Sequence, residues 1–183
     1  MHGHGIEIAV MCGKVHHAEK SVACGADRVV AQGADAGGHT GEIGTLSLVP
    51  QVLDAVAVPV LAAGAIADGR GVAAALALGA AGAVVGTRFI ATHESQATPE
   101  YRNTILQARD DTTMRTRCYT GKPARSIRTP YAVESERDRS KIRPFPQQAR
   151  RFRGLPRGSV NLAAASKLGK KRRMICKWFR GAN

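Results

Sequence analysis

The stretch "VPVLAAGAIADGRGVAAALALGAAGAVVGTRFI", Val58 to Ile90, contains two short, almost uninterrupted apolar runs, "VPVLAAGA" and "AGAVVGTRFI", on either side of a Gly-rich turn and the helix-forming run "VAAALALGA". A strand that is apolar on both faces belongs in a parallel sheet covered by helices, whereas a half-exposed antiparallel strand would alternate. The helix between the two runs makes this stretch a βαβ unit.

The same pattern extends toward the N-terminus. "IEIAVM" (Ile6–Met11) reads as a first strand, ended by Gly13 and followed by "VHHAEKSVACGA" with helical spacing. "DRVVAQG" supplies a second strand at Arg28–Ala31, then a long glycine-rich loop, then "LSLVPQVLDAV", whose Leu46, Leu48, Val49, Val52, Leu53 and Val56 lie mostly on one helical face. Strand starts near residues 6, 28, 58 and 83 make about four βα units, half of a (β/α)8 TIM barrel. An open doubly wound sheet is the alternative; its dinucleotide-binding GxGxxG after a first strand is absent. Both layouts place ligand chemistry in the loops after the strand C-termini.

At 183 residues and 44% hydrophobic, the chain can bury one core. Its net charge of +13 is unevenly spread: residues 1–100 carry 5 Lys/Arg against 9 Asp/Glu, and residues 101–183 carry 22 against 5. A basic half can mark nucleic-acid or anionic-membrane contact, but a solvated tail is the commoner reason. Cys12, Cys24, Cys118 and Cys176 show no CxxC spacing, which suggests neither a zinc site nor a disulfide framework. The chain reads as cytoplasmic with free thiols, and no apolar run reaches the roughly 20 residues of a membrane span.

Three loops carry candidate chemistry. After the second strand, "AQGADAGGHTG" (Ala31–Gly41) places Gln32, whose amide can donate and accept at once, beside Gly33, Gly37 and Gly38, where the backbone can approach a flat ligand closely. His39 projects from the same loop, and a histidine, ordinarily titrating near pH 6.5, suits a base or proton donor. A lone histidine is more often structural, and His2, His4, His16, His17 and His93 are read that way. After the third strand, Gly64, Gly69 and Gly71 lead into a helix whose N-terminal amides suit a phosphate. After the fourth, "VVGTRF" offers the Gly86 and Thr87 amides, the Thr87 hydroxyl and the Arg88 charge. Barrels often build a shared phosphate site from their last two such loops, although glycine also simply punctuates tight turns.

With these residues in view, "GADRVVAQGADAGGHTG", "LVPQVLDAVAVPVLAAGAIADGRGVAAALALGAAGAVVGTRFIATHES" and "YTGKPARSIRTPY" resemble the C-terminal half of nitronate monooxygenases, the FMN-dependent enzymes formerly called 2-nitropropane dioxygenases. Three separated motifs in the family's order make the resemblance specific over roughly residues 5–145. It implies a (β/α)8 barrel with non-covalent FMN at the strand C-termini. It also implies oxidation of nitronates or nitroalkanes by dioxygen to carbonyl compounds and nitrite. By position, the family's flavin-binding residues fall on Gln32, Gly37, Gly64, Ala65, Val84, Val85, Gly86 and Thr87, and its catalytic histidine on His39; no metal is implied.

Two departures stand out. Ala65 replaces the glycine of the usual "AGGI", and Asp35 stands where the family more often has Glu. No counterpart of the family's N-terminal half precedes these motifs, so the expectation is a partial FMN-binding barrel over residues 1–145 that alone turns over little substrate. It could associate with a separate N-terminal half or with itself, or be a non-catalytic remnant. Flavin-dependent enoyl-acyl carrier protein and quinone reductases share similar loops, which keeps an NAD(P)H reductase as the rival reading. Residues 146–183, with "KKRR" and "KWFR", lose the family's pattern and read as a basic, poorly ordered or altered tail rather than a nucleic-acid-binding arm.

Overall fold

In the computed structural model, residues 4–152 are described, and the chain divides into two compact units, Met1–Phe89 and Ile90–Asn183.

The first unit alternates strands and helices: β1 (Ala9–Cys12), α1 (Val15–Ala23), β2 (Arg28–Gln32), a two-residue extended piece β3 (Gly38–His39), α2 (Thr45–Ala55), β4 (Val60–Ala63), α3 (Gly69–Ala77) and β5 (Gly82–Val84). Four of the strands form one sheet in the order β1-β2-β4-β5, every pair parallel. Sheet order therefore follows chain order without the reversal that defines a doubly wound sheet. The result is an α/β fold with a parallel sheet.

Strand periodicity explains how the core is sorted. Val10, Cys12, Val29, Ala31, Val60, Ala62 and Ala83, alternate residues along their strands, join one apolar cluster with Ala18 of α1, Leu48, Val49 and Val52 of α2, and Ala75 of α3. The intervening residues point to the opposite face, where Met11 is 56% and Val84 38% exposed. α2 accommodates Pro50 within its length, at the cost of one backbone hydrogen bond. No helix among the described residues is long and apolar enough to cross a membrane.

The expected fourth strand is shorter than its apolar run. Only Gly82–Val84 pairs with β4; Gly86 leads directly into a helical turn, α4 (Thr87–Ile90), so "TRFI" is helix where a continuing strand was expected. The first strand likewise starts at Ala9 rather than Ile6, and the second runs one residue further, to Gln32.

The second unit has its own logic. α5 (Pro99–Leu106) and α6 (Pro130–Arg137) both begin with proline behind a capping threonine: Thr98 Oγ1 accepts from the Tyr101 amide at 3.3 Å, and Thr129 Oγ1 from the Ala132 amide at 3.1 Å. Between them, β6 (Thr113–Thr116) and β7 (Ala124–Ile127) pair antiparallel. Cys118, Tyr119, Ala132 and Phe152 form the unit's core, and burial pushes the Cys118 thiol up to about 11.

The Glu136 carboxylate accepts from the Thr116 hydroxyl at 2.7 Å, the Arg117 amide at 3.0 Å and Arg139 at 2.7 Å. The short helix α7 (Gln147–Arg150) buries Gln148, only 1% exposed, whose amide nitrogen donates to the Cys118 carbonyl and whose oxygen accepts from the Arg143 amide at 3.1 Å. Packing of this unit thus runs on to Phe152; the remainder of the basic segment, with "KKRR", "KWFR" and Cys176, lies outside the described residues, as does His2.

Candidate functional site

In a parallel pair, in-register neighbours project to the same face. Gln32 is in register with Ala63, and Ala63 with Val84, so the last residues of β2, β4 and β5 form one row along the C-terminal edge of the sheet. The three glycine-bearing loops singled out in the sequence leave from this row.

The loop after β2 is held by short backbone contacts. The Gly33 amide donates to the Ala63 carbonyl at 2.9 Å, the Ala34 amide to the Ile43 carbonyl at 2.7 Å and the Ala36 amide to the Gly33 carbonyl at 3.1 Å. Two of its glycines are there for room: a Cβ on Gly33 would stand 2.2 Å from Thr45 Oγ1, and one on Gly37 would stand 2.9 Å from Thr87 Oγ1. The second of these contacts brings the loop after β2 against the start of α4. His39, two residues beyond Gly37, is exposed, while the Thr40 hydroxyl oxygen is buried without a hydrogen-bond partner. His4, His16, His17 and His93 are all exposed and lie away from this loop in sequence.

The loop after β4 begins with two left-handed residues, Gly64 at φ +119° and Ala65 at φ +56°. Ala65 is the residue that stands in place of the expected glycine, and its conformation is the one glycine serves best. A few residues on, the N-terminus of α3 is closed by its own sequence. The Asp68 carboxylate accepts from the Arg70 amide at 3.0 Å and the Gly71 amide at 3.4 Å, and pairs with the Arg70 guanidinium at 2.6 Å. The Arg70 side chain foremost, then the Gly71 amide, hold that carboxyl down to about 2. Gly69 and Gly71 therefore lead into a helix start at which two amides, those of Arg70 and Gly71, serve the Asp68 carboxylate. An added Cβ on Gly86 would meet nothing within 4 Å, as would one on Gly69.

Gln32, Gly37, His39, Gly64, Ala65, Val84, Val85, Gly86 and Thr87 all belong to the C-terminal end of this one sheet or the loops leaving it. Thr45 also belongs to the arrangement, though no sequence signal marked it. As the first residue of α2 it reads as an ordinary helix starter, and its place between Gly33 and Gly64 comes only from the fold. Among the described residues, no cluster of three or more His, Cys, Asp or Glu is placed to hold a metal ion.

Residues 1–176 match the family model described as nitronate monooxygenase. Rv1533 of Mycobacterium tuberculosis is 48% identical over 137 residues, covering 74% of this chain and 36% of that protein. A Staphylococcus aureus protein named "Probable nitronate monooxygenase" is 37% identical over 148 residues, covering 75% of this chain and 42% of its own length.

Among solved structures, a nitroalkane oxidase from Streptomyces ansochromogenes superposes with a TM-score of 0.74 at 36% identity, over 85% of this chain and 48% of that one. FabK from Thermotoga maritima gives 0.72 at 40% identity, over 81% and 47%. The chain thus spans less than half the length of each of these relatives. With 48% identity to one relative and a family model that runs through both of its units, the chain belongs to the nitronate monooxygenase family.

Proposed function

We propose that this chain forms the C-terminal half of a (β/α)8 barrel and carries the phosphate end of an FMN site together with the histidine loop of a nitronate-oxidising centre. The observation that carries the reading is the in-register row Gln32–Ala63–Val84, from which the Gly37, Gly64 and Gly86 loops all leave at one sheet edge. The residues present fit the cofactor: Gly37 brings the loop backbone so close to Thr87 that a Cβ would collide with its hydroxyl, and beside Thr87 a Cβ on Gly86 would meet nothing within 4 Å, which leaves room for a group against the backbone.

In this reading Gln32 hydrogen-bonds the flavin ring and Gly37 lets the ring lie against the backbone. Gly64, Ala65, Val84, Val85, Gly86 and Thr87 receive the phosphate, with amides and the Thr87 hydroxyl as donors. FMN supplies one-electron oxidation of the substrate and transfer to dioxygen. His39 stands exposed where it can take a proton from a nitroalkane carbon or, protonated, neutralise an anionic nitronate. Dioxygen as oxidant leaves a carbonyl compound and nitrite as products.

The test is FMN binding by this chain, followed by oxygen-dependent nitrite release from propionate 3-nitronate, measured alone and with the relatives' N-terminal half added. FMN should bind, nitrite release should be slight alone, and any activity gained with the added half should be lost in His39→Asn. Activity unaffected by His39→Asn would overturn the assignment of His39. The likeness to the FabK structures favours a second reading, a flavin-dependent NAD(P)H reductase. Anaerobic bleaching of bound FMN by NADH or NADPH, without nitrite release in air, would select it.

A further inference from the structure

We infer that Asp35 and Thr45 are positioning residues that lock the His39 loop and the Gly64–Ala65 loop into one body, so that the ring end and the phosphate end of the flavin site move together. The inference rests on the flavin reading for its purpose, but its physical content is in the protein alone.

α2 begins behind Gly44, which has no side chain to cap the helix. A carboxylate from the preceding loop serves the first turn instead: Asp35 Oδ2 accepts from the Thr45 amide at 2.7 Å, satisfying one of the donors left unpaired at the helix start. The same bond ties the middle of "GADAGGH" to the first residue of α2.

Thr45 then reaches the second loop. Its side chain is 9% exposed and lies between two glycines, since a Cβ on Gly33 would stand 2.2 Å from Thr45 Oγ1 and one on Gly64 would stand 2.4 Å from it. Its hydroxyl donates to the Ala63 carbonyl at 3.4 Å, the same carbonyl that accepts the Gly33 amide at 2.9 Å. One threonine therefore touches the exits of both β2 and β4, and one carboxylate fixes that threonine. Close contacts between backbone and a buried side chain leave little slack, so displacing one loop must displace the other.

The experiment uses the full chain with Asp35→Ala and Thr45→Val, and with Asp35→Glu and Thr45→Ser as conservative partners. Affinities for FMN and for riboflavin, which lacks the phosphate, are read by flavin fluorescence, and amide exchange of residues 33–37 and 63–65 is followed without flavin. Asp35→Ala should weaken FMN binding about tenfold and riboflavin binding less, with restoration in Asp35→Glu. Both amide segments should exchange faster together, and Thr45→Val should reproduce the pattern where Asp35→Ala folds poorly.

A drop in melting temperature with an unchanged FMN-to-riboflavin affinity ratio would reduce the pair to a structural role and overturn the inference. Failure of the unmodified chain to bind either flavin would instead strike the proposed function. The exchange data then decide the lock by themselves, because faster exchange in one segment alone contradicts it.

Discussion

Replacing Ala65 by glycine should stabilise this chain, and the size of the effect follows from one dihedral angle. Ala65 has φ +56°, the left-handed region in which a Cβ crowds the following carbonyl oxygen at a cost of about 1–2 kcal/mol. Glycine removes that cost but gains freedom in the unfolded chain, which offsets about 0.4–1 kcal/mol. Ala65 is exposed, so losing its methyl sacrifices little burial. The net gain is about 0.5–1 kcal/mol, which at a urea dependence of about 2 kcal/mol per molar moves the unfolding midpoint up by roughly 0.3–0.5 M. Ala67→Gly, at an exposed position without positive φ, is the control and should move it down. Urea titrations followed by far-UV circular dichroism would read both. A midpoint unchanged or lowered in Ala65→Gly would refute the argument that this loop holds an alanine in a glycine's conformation. The same variant should bind FMN more tightly, since the methyl projects from the loop assigned to the phosphate.

Two further expectations concern the cores of the two units. Leu48→Ala, at a fully buried position where α2 meets the sheet, should cost about 2–5 kcal/mol, while Leu46→Ala, 71% exposed on the same helix, should change stability by less than about 0.5 kcal/mol; thermal melts of the two variants would compare them. In the second unit, burial alone would raise the Glu136 carboxyl, but the Thr116 hydroxyl, the Arg117 amide and Arg139 together hold it below its ordinary value. Its stabilisation is then complete above the ordinary carboxylate range and fades as pH falls through the lower folded-state value. Glu136→Gln should flatten the acid limb of the stability profile, and an acid limb identical to that of the unmodified chain would count against the network.

The parallel sheet was legible because its strands carry near-continuous apolar runs, as Val60–Ala63 does, even though β1 and β5 leave Met11 and Val84 exposed on one face. The same property hid where strands end. Val84, Val85, Phe89 and Ile90 are all apolar, and hydrophobicity cannot tell the residue that pairs with β4 from the one that turns into α4. The hairpin of the second unit was illegible for the opposite reason: "TMRT" and "ARSI" are half-buried and carry Arg115 directly opposite Arg125, so no apolar alternation announces them. At the candidate site, Gln32, Gly37 and His39 stood out by residue type within one loop. Thr45 did not, because its role depends on Gly33 and Gly64 converging on it from loops 12 and 19 residues away. The α3 cap was legible in principle, since Asp68 is a standard N-cap residue just before Gly69.

Sequential strand order has a consequence for how the first unit assembles. Partners are about 20 residues apart in the β1–β2 and β4–β5 pairs and about 30 in the β2–β4 pair, so each new strand is recruited by closing a loop of modest length, and the entropic cost grows only slowly with that length. On a ribosome, β2 can dock on β1 while α3 is still unsynthesised, and each later strand of this four-stranded sheet pairs with one already made. The candidate site forms last, because its row is complete only when Val84 has settled beside Ala63.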